Sequence, residues 1–318
     1  MQKYLQEISS QLKDNNEYDY IGNSDNGIWK DGKLVSKSNE NSYEVSDGIP
    51  RFVKPEDETW GTDDKVKNSE DLKYWFKLMG ISHKELIEFN FNKSSSDDDL
   101  FNFVKPVISE ILAKGGIILE CACGPAGGLT PFILRADPNA RIIMNDKSFW
   151  ILNEWRLLNQ KKCFRNLSFA LFDLTNSPLK DNSFDIISSY WGVSSIGGGD
   201  TQLGLNECYR MLKSNGKMFL YEVEISDETL ASLNEDKLKN IKTIIEHSEK
   251  YDIDDYHSIV DMIKNSLSNQ IEKAGFLNIS VEKINQQKPD PMDGDIPGIF
   301  HKAGIELIYN LKKIVAEK

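Results

Sequence analysis

From residue 117 onward the chain keeps one rhythm: a short apolar run, a turn, a helical stretch, then another apolar run. Ile117–Cys121, Arg141–Met144, Ser168–Phe172, Phe184–Ser189 and Met218–Val223 read as strands. An apolar segment (Leu129–Leu134) and helices over Phe149–Leu158 and Leu203–Leu212 fall between them. A later helix, Ile259–Ala274, leads to strands at Ile279–Val281 and Ile305–Asn310. Repeated strand–helix units return each strand parallel to the one before it, so the expected architecture is α/β: a mostly parallel sheet with helices on both faces.

The region before this series is of a different texture. Residues 27–53 alternate short apolar pairs with Asp-Gly and Asn/Ser clusters, which reads as a small antiparallel β unit. Residues 1–20 form a polar lead-in and residues 54–71 an acidic loop. Residues 72–92 carry aromatics in a helical pattern. Ser94–Ser96 and Asp97–Asp99 are helix-capping types, followed by Leu100, Phe103, Val104, Val107, Ile108 and Ile111 at helical spacing. Pro106 either kinks that helix or starts it. The expected division is an N-terminal accessory region, 1–96, and a core, 97–318, with an insertion at 226–257.

Thirty-eight Lys+Arg against 50 Asp+Glu leave a formal charge of −12. A broad phosphate-tracking surface works by Lys and Arg displacing counterions, and so does not suit such a chain. No apolar run reaches the roughly 18 residues of a membrane span. Four cysteines in 318 residues do not make a disulfide framework, and a cytoplasmic protein is expected.

The first strand-to-helix turn reads Glu120-Cys121-Ala122-Cys123-Gly124-Pro125-Ala126-Gly127-Gly128. Small residues here let backbone approach a ligand at the carboxyl edge of the sheet. The phosphate-loop pattern is absent, and alanines stand where a dinucleotide fingerprint has glycine. The second strand ends in Asn145-Asp146, followed by Lys147. An acid at this place can accept two hydrogen bonds from ribose hydroxyls.

The turn resembles motif I of the class I S-adenosylmethionine-dependent methyltransferases, commonly D/E-x-G-x-G-x-G. Glu120 takes the acidic position, Ala122 the first glycine, Gly124 the second, and Ala126 with Gly127 the third. Downstream, LFDLTNSPLKDNSFDIISSYWG and LNECYRMLKSNGKMFLYEVEI are similar to the family's later motifs. The resemblance implies a Rossmann-like sheet of seven strands, the last antiparallel, beneath a small N-terminal β/helical cap. It implies S-adenosyl-L-methionine as cofactor, held by Glu120, Ala122, Cys123, Gly124, Pro125 and Gly127 of the turn, and by Asp146 and Lys147. Asp173 would accept from the adenine amino group, Leu174 would meet the ring, and Ser189 and Trp191 would lie beside the methionine part.

The expected activity is methyl transfer to a small-molecule acceptor. A tRNA or rRNA methyltransferase and a non-catalytic S-adenosylmethionine-binding protein are the alternatives. The reaction needs few obligatory side chains, because alignment and water exclusion supply much of the barrier reduction. Candidate bases or orienting groups are Glu222, Glu224, His257 and His301. The 226–257 insertion and the 285–303 loop, with Pro289–Pro291, Asp293–Asp295 and His301, converge on the carboxyl edge by connectivity.

No metal is expected. Cys121-x-Cys123 has no second ligand pair in sequence reach. The N-terminal β unit resembles small modules that precede some methyltransferase cores, but residues 1–100 contain no cysteine to hold zinc. Trp60, Tyr74, Trp75 and Phe76 are read as core-packing aromatics.

Overall fold

The computed structural model describes residues 12–13, 17–25, 28–38, 40–58, 77, 80–196, 200–248, 253–290 and 295–318. Four strands come first: β1 (Tyr18–Asp25), β2 (Ile28–Ser36), β3 (Ser42–Ser46) and β4 (Ile49–Arg51). Helices α1 (Leu86–Ser96) and α2 (Asp98–Lys114) follow. Next come β5 (Ile117–Glu120), α3 (Thr130–Ala136), β6 (Arg141–Asp146), α4 (Phe149–Lys162), β7 (Leu167–Leu171), β8 (Phe184–Tyr190), α5 (Thr201–Met211) and β9 (Leu212–Ile225). The last elements are α6 (Asp227–Ser232), α7 (Glu235–Glu246), α8 (Ile253–Lys264), α9 (Leu267–Lys273), β10 (Leu277–Gln287), α10 (Asp295–Lys302) and β11 (Tyr309–Glu317).

All these strands join one sheet in the order β1-β2-β3-β4-β7-β6-β5-β8-β9-β11-β10. The pairs β5–β6, β6–β7, β5–β8 and β8–β9 are parallel, whereas β11 is antiparallel to both β9 and β10. Chain order runs one way from β5 through β6 to β7 and the other way from β5 through β8 to β9. Ligands of open α/β sheets bind at such a switch point, beyond the carboxyl ends of the strands.

Among the described residues the sheet therefore has eleven strands, where seven were expected. The strands after residue 116 form a contiguous block, and the N-terminal four extend it past β7. Those four make an antiparallel meander, begun at Tyr18 rather than residue 27, with Tyr20 stacked on Trp29 at 4.5 Å. Asp47-Gly48, both left-handed (φ 50° and 81°), turn β3 into β4. β4 then docks parallel to β7, with Arg51 opposite Leu171 and the Phe52 N–H donating to the Leu171 carbonyl (2.8 Å). Without it, β7 would be a bare edge of unpaired N–H and C=O groups. Alternation and turn residues locate strands, but they do not say which distant edge a strand will meet.

Successive residues of the central strands feed opposite cores, as the period of two requires. Ile118, Ile142, Phe169, Ile186 and Phe219 face the layer of α1–α4. Leu119, Ile143, Ala170, Ile187 and Leu220 pack with Leu205 and Cys208 of α5 and Ile271 of α9. A third apolar cluster gathers α7, α8 and α10 beside Ile225, at the carboxyl end of β9. It includes Ile305 and Leu307, which the sequence reading put in the last strand. That strand runs instead from Tyr309 to Glu317.

Three further boundaries differ. α2 starts at Asp98, where Asp97 accepts from the Leu100 N–H (2.8 Å), so Pro106 lies inside a continuous helix. The strand expected over Met218–Val223 begins earlier, because Leu212–Gly216 is the bulged start of β9, with Asn215 at φ 63°. The helix expected over Ile259–Ala274 is two helices, because the Ser266 hydroxyl accepts from the Asn269 N–H (3.3 Å) and starts α9 afresh. Trp60, Tyr74, Trp75, Phe76, Pro291, Asp293 and Gly294 lie outside the described residues. Among the described residues no helix is long and apolar enough to cross a membrane.

Candidate functional site

The turn after β5 is built over a buried carboxyl group. Glu120 is fully buried; its Oε1 accepts from the Leu129 N–H (3.1 Å) and its Oε2 from the Ser188 hydroxyl (2.5 Å). Burial pushes its pKa up to about 8, against the opposing pull of those two bonds. Glu120 thus sits under the turn and joins it to α3 and β8. A Cβ at Gly128 would come within 1.7 Å of Glu120 Oε1, and one at Gly127 within 2.3 Å of the Trp155 ring. Both glycines serve close packing. Gly124 differs: it takes φ 54°, and no atom lies within 4 Å of where its Cβ would be. The open backbone face of the turn is therefore at Gly124.

Ala122, the other small residue of note, adopts φ 47°, a left-handed conformation that favours glycine. Its methyl and carbonyl crowd Gly192, where a Cβ would meet them at 2.9 and 2.7 Å. Room for the methyl at 122 is thus provided by glycine at 192. The Cys123 N–H donates to the Asn145 carbonyl (2.9 Å), and Asn90 Nδ2 of α1 donates to the Pro125 carbonyl (3.1 Å). Cys121 and Cys123 are buried free thiols.

At the end of β6, Asp146 accepts from the Gly124 N–H (2.8 Å) and the Ser148 N–H (2.9 Å). Its partly buried carboxyl is pushed up to about 6 by burial, opposed by these N–H groups. Next to it Lys147 Nζ donates to Asp173 Oδ2 (2.7 Å), while Asp173 Oδ1 accepts from the Thr175 N–H (2.9 Å) and hydroxyl (2.7 Å). Burial alone would raise Asp173, but Lys147 and Thr175 outweigh it and hold the carboxyl below its ordinary value. Leu174 beside it is buried. The ends of β5, β6 and β7 thus bring together the turn, Asp146, Lys147, Asp173 and Leu174.

The end of β8 carries Ser189, Tyr190 and Trp191. Trp191 is 40% exposed at φ 58°, and its N–H donates to the Tyr221 carbonyl (2.8 Å). Glu222 is fully buried and accepts from the Ser189 hydroxyl (3.2 Å), the Val193 N–H (3.0 Å), and the Ser194 N–H (3.2 Å) and hydroxyl. Burial raises its pKa, while Ser194, Val193 and Ser189 pull the other way. Glu224 accepts from the Leu267 N–H (2.6 Å) and pairs with Lys312. Both glutamates offered as bases are committed to the chain itself. His257 and His301 are exposed on α8 and α10.

Two contributors carry no motif of their own. Trp155 Nε1 donates to the Gly124 carbonyl (3.0 Å) from α4, and Gly192 accommodates Ala122. A tryptophan on the helix after β6 and a glycine just past β8 are the only traces these leave in the sequence.

The signature of the family described as "Methyltransferase domain" matches residues 119–220, from β5 through most of β9. Residues 119–220 thus carry the signature of a methyltransferase domain. The domain is similar to two ubiquinone/menaquinone biosynthesis C-methyltransferases named UbiE. With that of Rickettsia prowazekii (strain Madrid E) it is 27% identical over 169 residues, which are 47% of this chain and 65% of that protein. With that of Ruegeria sp. (strain TM1040) it is 25% identical over 206 residues, 59% of this chain and 81% of that protein. Among solved structures, Haemonchus contortus phosphoethanolamine N-methyltransferase 2, in complex with phosphomonomethylethanolamine and S-adenosylhomocysteine, shares 16% identity at a TM-score of 0.49. That match covers 80% of this chain and 58% of the other. A putative sarcosine dimethylglycine methyltransferase from Galdieria sulphuraria shares 12% identity at the same TM-score, covering 79% and 98%.

Proposed function

We propose that this chain is an S-adenosylmethionine-dependent methyltransferase acting on a small-molecule acceptor. The observation that carries the reading is the pairing of Gly124 with Asp146. An open backbone face lies beside a carboxylate that is already oriented by the same N–H, at the switch point of the sheet. The donor set fits an adenosyl group. Asp146 has lone pairs left for ribose hydroxyls, Lys147 and Asp173 form a polar pair next to it, and Leu174 supplies apolar surface.

In this reading Glu120, Ala122, Cys123, Gly124, Pro125 and Gly127 shape the cradle. Asp146 with Lys147 serves the ribose, Asp173 with Leu174 the base, and Ser189 with Trp191 the amino-acid end. S-adenosyl-L-methionine, when bound, supplies a methyl group already activated on a sulfonium. The chain's own work is to hold the acceptor in line and keep water out, which favourable intramolecular cases value at roughly 7–11 kcal/mol. Glu120 and Glu222 hold no proton for an acceptor here; they fix the turn and the loop after β8.

A small-molecule acceptor is supported by the net charge of −12 and by the helical cluster beside the carboxyl end of β9. The two UbiE relatives are named for the biosynthesis of ubiquinone and menaquinone, which are small molecules. We take residues 97–318 as the catalytic core and 1–96 as an accessory region whose strands extend its sheet. Isothermal titration with S-adenosylmethionine and S-adenosylhomocysteine tests the reading. Saturable binding of both is expected, and binding of neither overturns it.

A further inference from the structure

We propose a second binding site, apart from the turn after β5: a cleft between α5, α8, α9 and the carboxyl end of β9 that takes the head of a small primary ammonium compound. The two groups that define it, Gln270 and Asp261, have no part in the cofactor assignment, so the inference stands independently of the methyltransferase reading.

Met218 and Leu220 of β9 face the α5 and α9 side of the sheet, and the period of two puts Glu224 on that side as well. The cleft opens there. It is lined by Ser194 of the loop after β8, Val223 and Glu224 of β9, Asp261 and Met262 of α8, and Gln270 of α9. Its inner part admits the centre of a water-sized group over about 20 Å³, room for one water or one ammonium head. The outer part leads past Asn206 and Lys273, both exposed, to solvent.

Gln270 marks this space as a site. It is only 3% exposed, yet its side-chain carbonyl has no hydrogen-bond partner among the described residues. The way its amide faces is set by its neighbours: Nε2 donates to Asp261 Oδ2 (3.2 Å) and to the Asn265 carbonyl (3.5 Å). Turned over, the amide would press Oε1 against both of those acceptors. The side chain thus satisfies its donors and leaves its acceptor bare, and such buried atoms are rare in native structures.

The groups around it also accept. Asn265 Nδ2 is spent on Asp261 Oδ1 (2.7 Å), the Ser194 hydroxyl on Glu222, and the Leu267 N–H and the Lys312 ammonium on Glu224. The Thr201 hydroxyl, at the start of α5, can serve either way. The half-buried Asp261 carboxylate receives two neutral amides and forms no ion pair among the described residues. A water here would bring two donors, but its own lone pairs would be short of donors and the carboxylate would stay uncompensated. An ammonium group only donates and carries the opposite charge, so it suits Gln270 Oε1 and Asp261 together. Val223, Met262 and Leu267 supply apolar surface for the first carbons behind it.

The test titrates the full chain, labelled with nitrogen-15, while the side-chain amide resonances of Gln270 and Asn265 are followed. Three probes separate the ingredients: n-propylammonium has charge and N–H donors, n-propanol a donor without charge, and tetramethylammonium charge without a donor. Expected is saturable n-propylammonium binding, roughly tenfold or more tighter than either of the others. Asp261→Asn, which keeps the shape, should weaken it about tenfold, and Gln270→Met, which removes the carbonyl, about fivefold. S-adenosylmethionine affinity should stay within about threefold of the parent in both variants, since neither residue borders the adenosyl cradle. Thermal melts verify folding, and the half-buried Asp261 carries the test should Gln270→Met fail to fold. Four results overturn the inference: no saturable shift with n-propylammonium, equal affinity for n-propanol, equal affinity for tetramethylammonium, or unchanged n-propylammonium binding in Asp261→Asn. The first of these would leave the cleft as a seat for water only.

Discussion

The carboxyl group of Glu120 fills the space that a side chain at Gly128 would need, with Oε1 only 1.7 Å from the position of that absent Cβ. The same oxygen accepts the Leu129 N–H, so the first turn of α3 and the last residue of β5 are locked through this one atom. Gly128→Ala should therefore displace Glu120, break that bond and strain a left-handed backbone. A loss of roughly 2–4 kcal/mol is expected in urea unfolding. A variant as stable as the parent would show that the turn can rearrange cheaply.

Ala122 presents the opposite case. It bears a methyl at φ 47°, so Ala122→Gly relieves the local strain at the cost of a more flexible unfolded chain. The net change should stay within about 1 kcal/mol of the parent, on the stabilising side. A loss larger than that in the same unfolding assay would mean that the methyl contributes packing against Gly192.

The pH dependence of stability has a definite sign. Glu120 titrates near 4.5 when free and at about 8 when folded, so the folded state holds its proton more tightly. Its contribution is complete below the unfolded value and is lost as pH rises through about 8. Asp146, raised from 3.8 to about 6, acts in the same direction over a lower window. Melting temperature should fall between pH 5 and pH 9, and Glu120→Gln, which cannot ionise, should flatten the upper part of that fall. Parallel profiles for parent and variant would contradict the assignment.

Asp146→Ala should weaken S-adenosylmethionine binding by roughly 1–3 kcal/mol through two lost charge-assisted hydrogen bonds. Because the carboxyl gains its proton as pH falls through about 6, affinity in the parent should drop between pH 7.5 and 5.5. Asp146→Asn should show no such drop. Calorimetry at the two pH values reads both effects, and unchanged affinity in the alanine variant would end the ribose assignment.

Arg156 ties the N-terminal strands to the core. It is buried on α4, donates to Asn153 Oδ1 from Nε (3.0 Å) and Nη2 (2.8 Å), and reaches Asp47 at 3.2 Å in the turn between β3 and β4. Arg156→Ala should speed hydrogen exchange at the amides of β3 and β4 while leaving β5 and β6 protected. Equal acceleration in all four strands would indicate a general loss of stability instead.

The rhythm of apolar runs located the parallel strands, because each buries alternate side chains on two faces and so must be apolar throughout, as Ile117–Leu119 and Ile142–Met144 are. The turn and Asp146 stand out in the sequence for a related reason, small residues and an acid at fixed places, and the structure brings Gly124 and Asp146 together. The join of β4 to β7 left no such trace, since backbone groups make it. Glu222 reads in the sequence as a candidate base, because a carboxylate beside a site and a carboxylate tying down a loop look alike there; the structure adds that the Val193 and Ser194 N–H groups point at it. Ile305 and Leu307 read as strand because burial in a helical cluster leaves the same apolar mark as burial in a sheet.

The pairing of Arg51 with Leu171 joins positions about 120 residues apart (171 − 51). During synthesis the β1–β4 meander therefore leaves the ribosome long before the edge it docks on exists. It can shelter its own hairpins in the meantime, but its place in the sheet is settled only after β7 has emerged. The meander is thus made well before the strand it pairs with, and it takes its place in the sheet late.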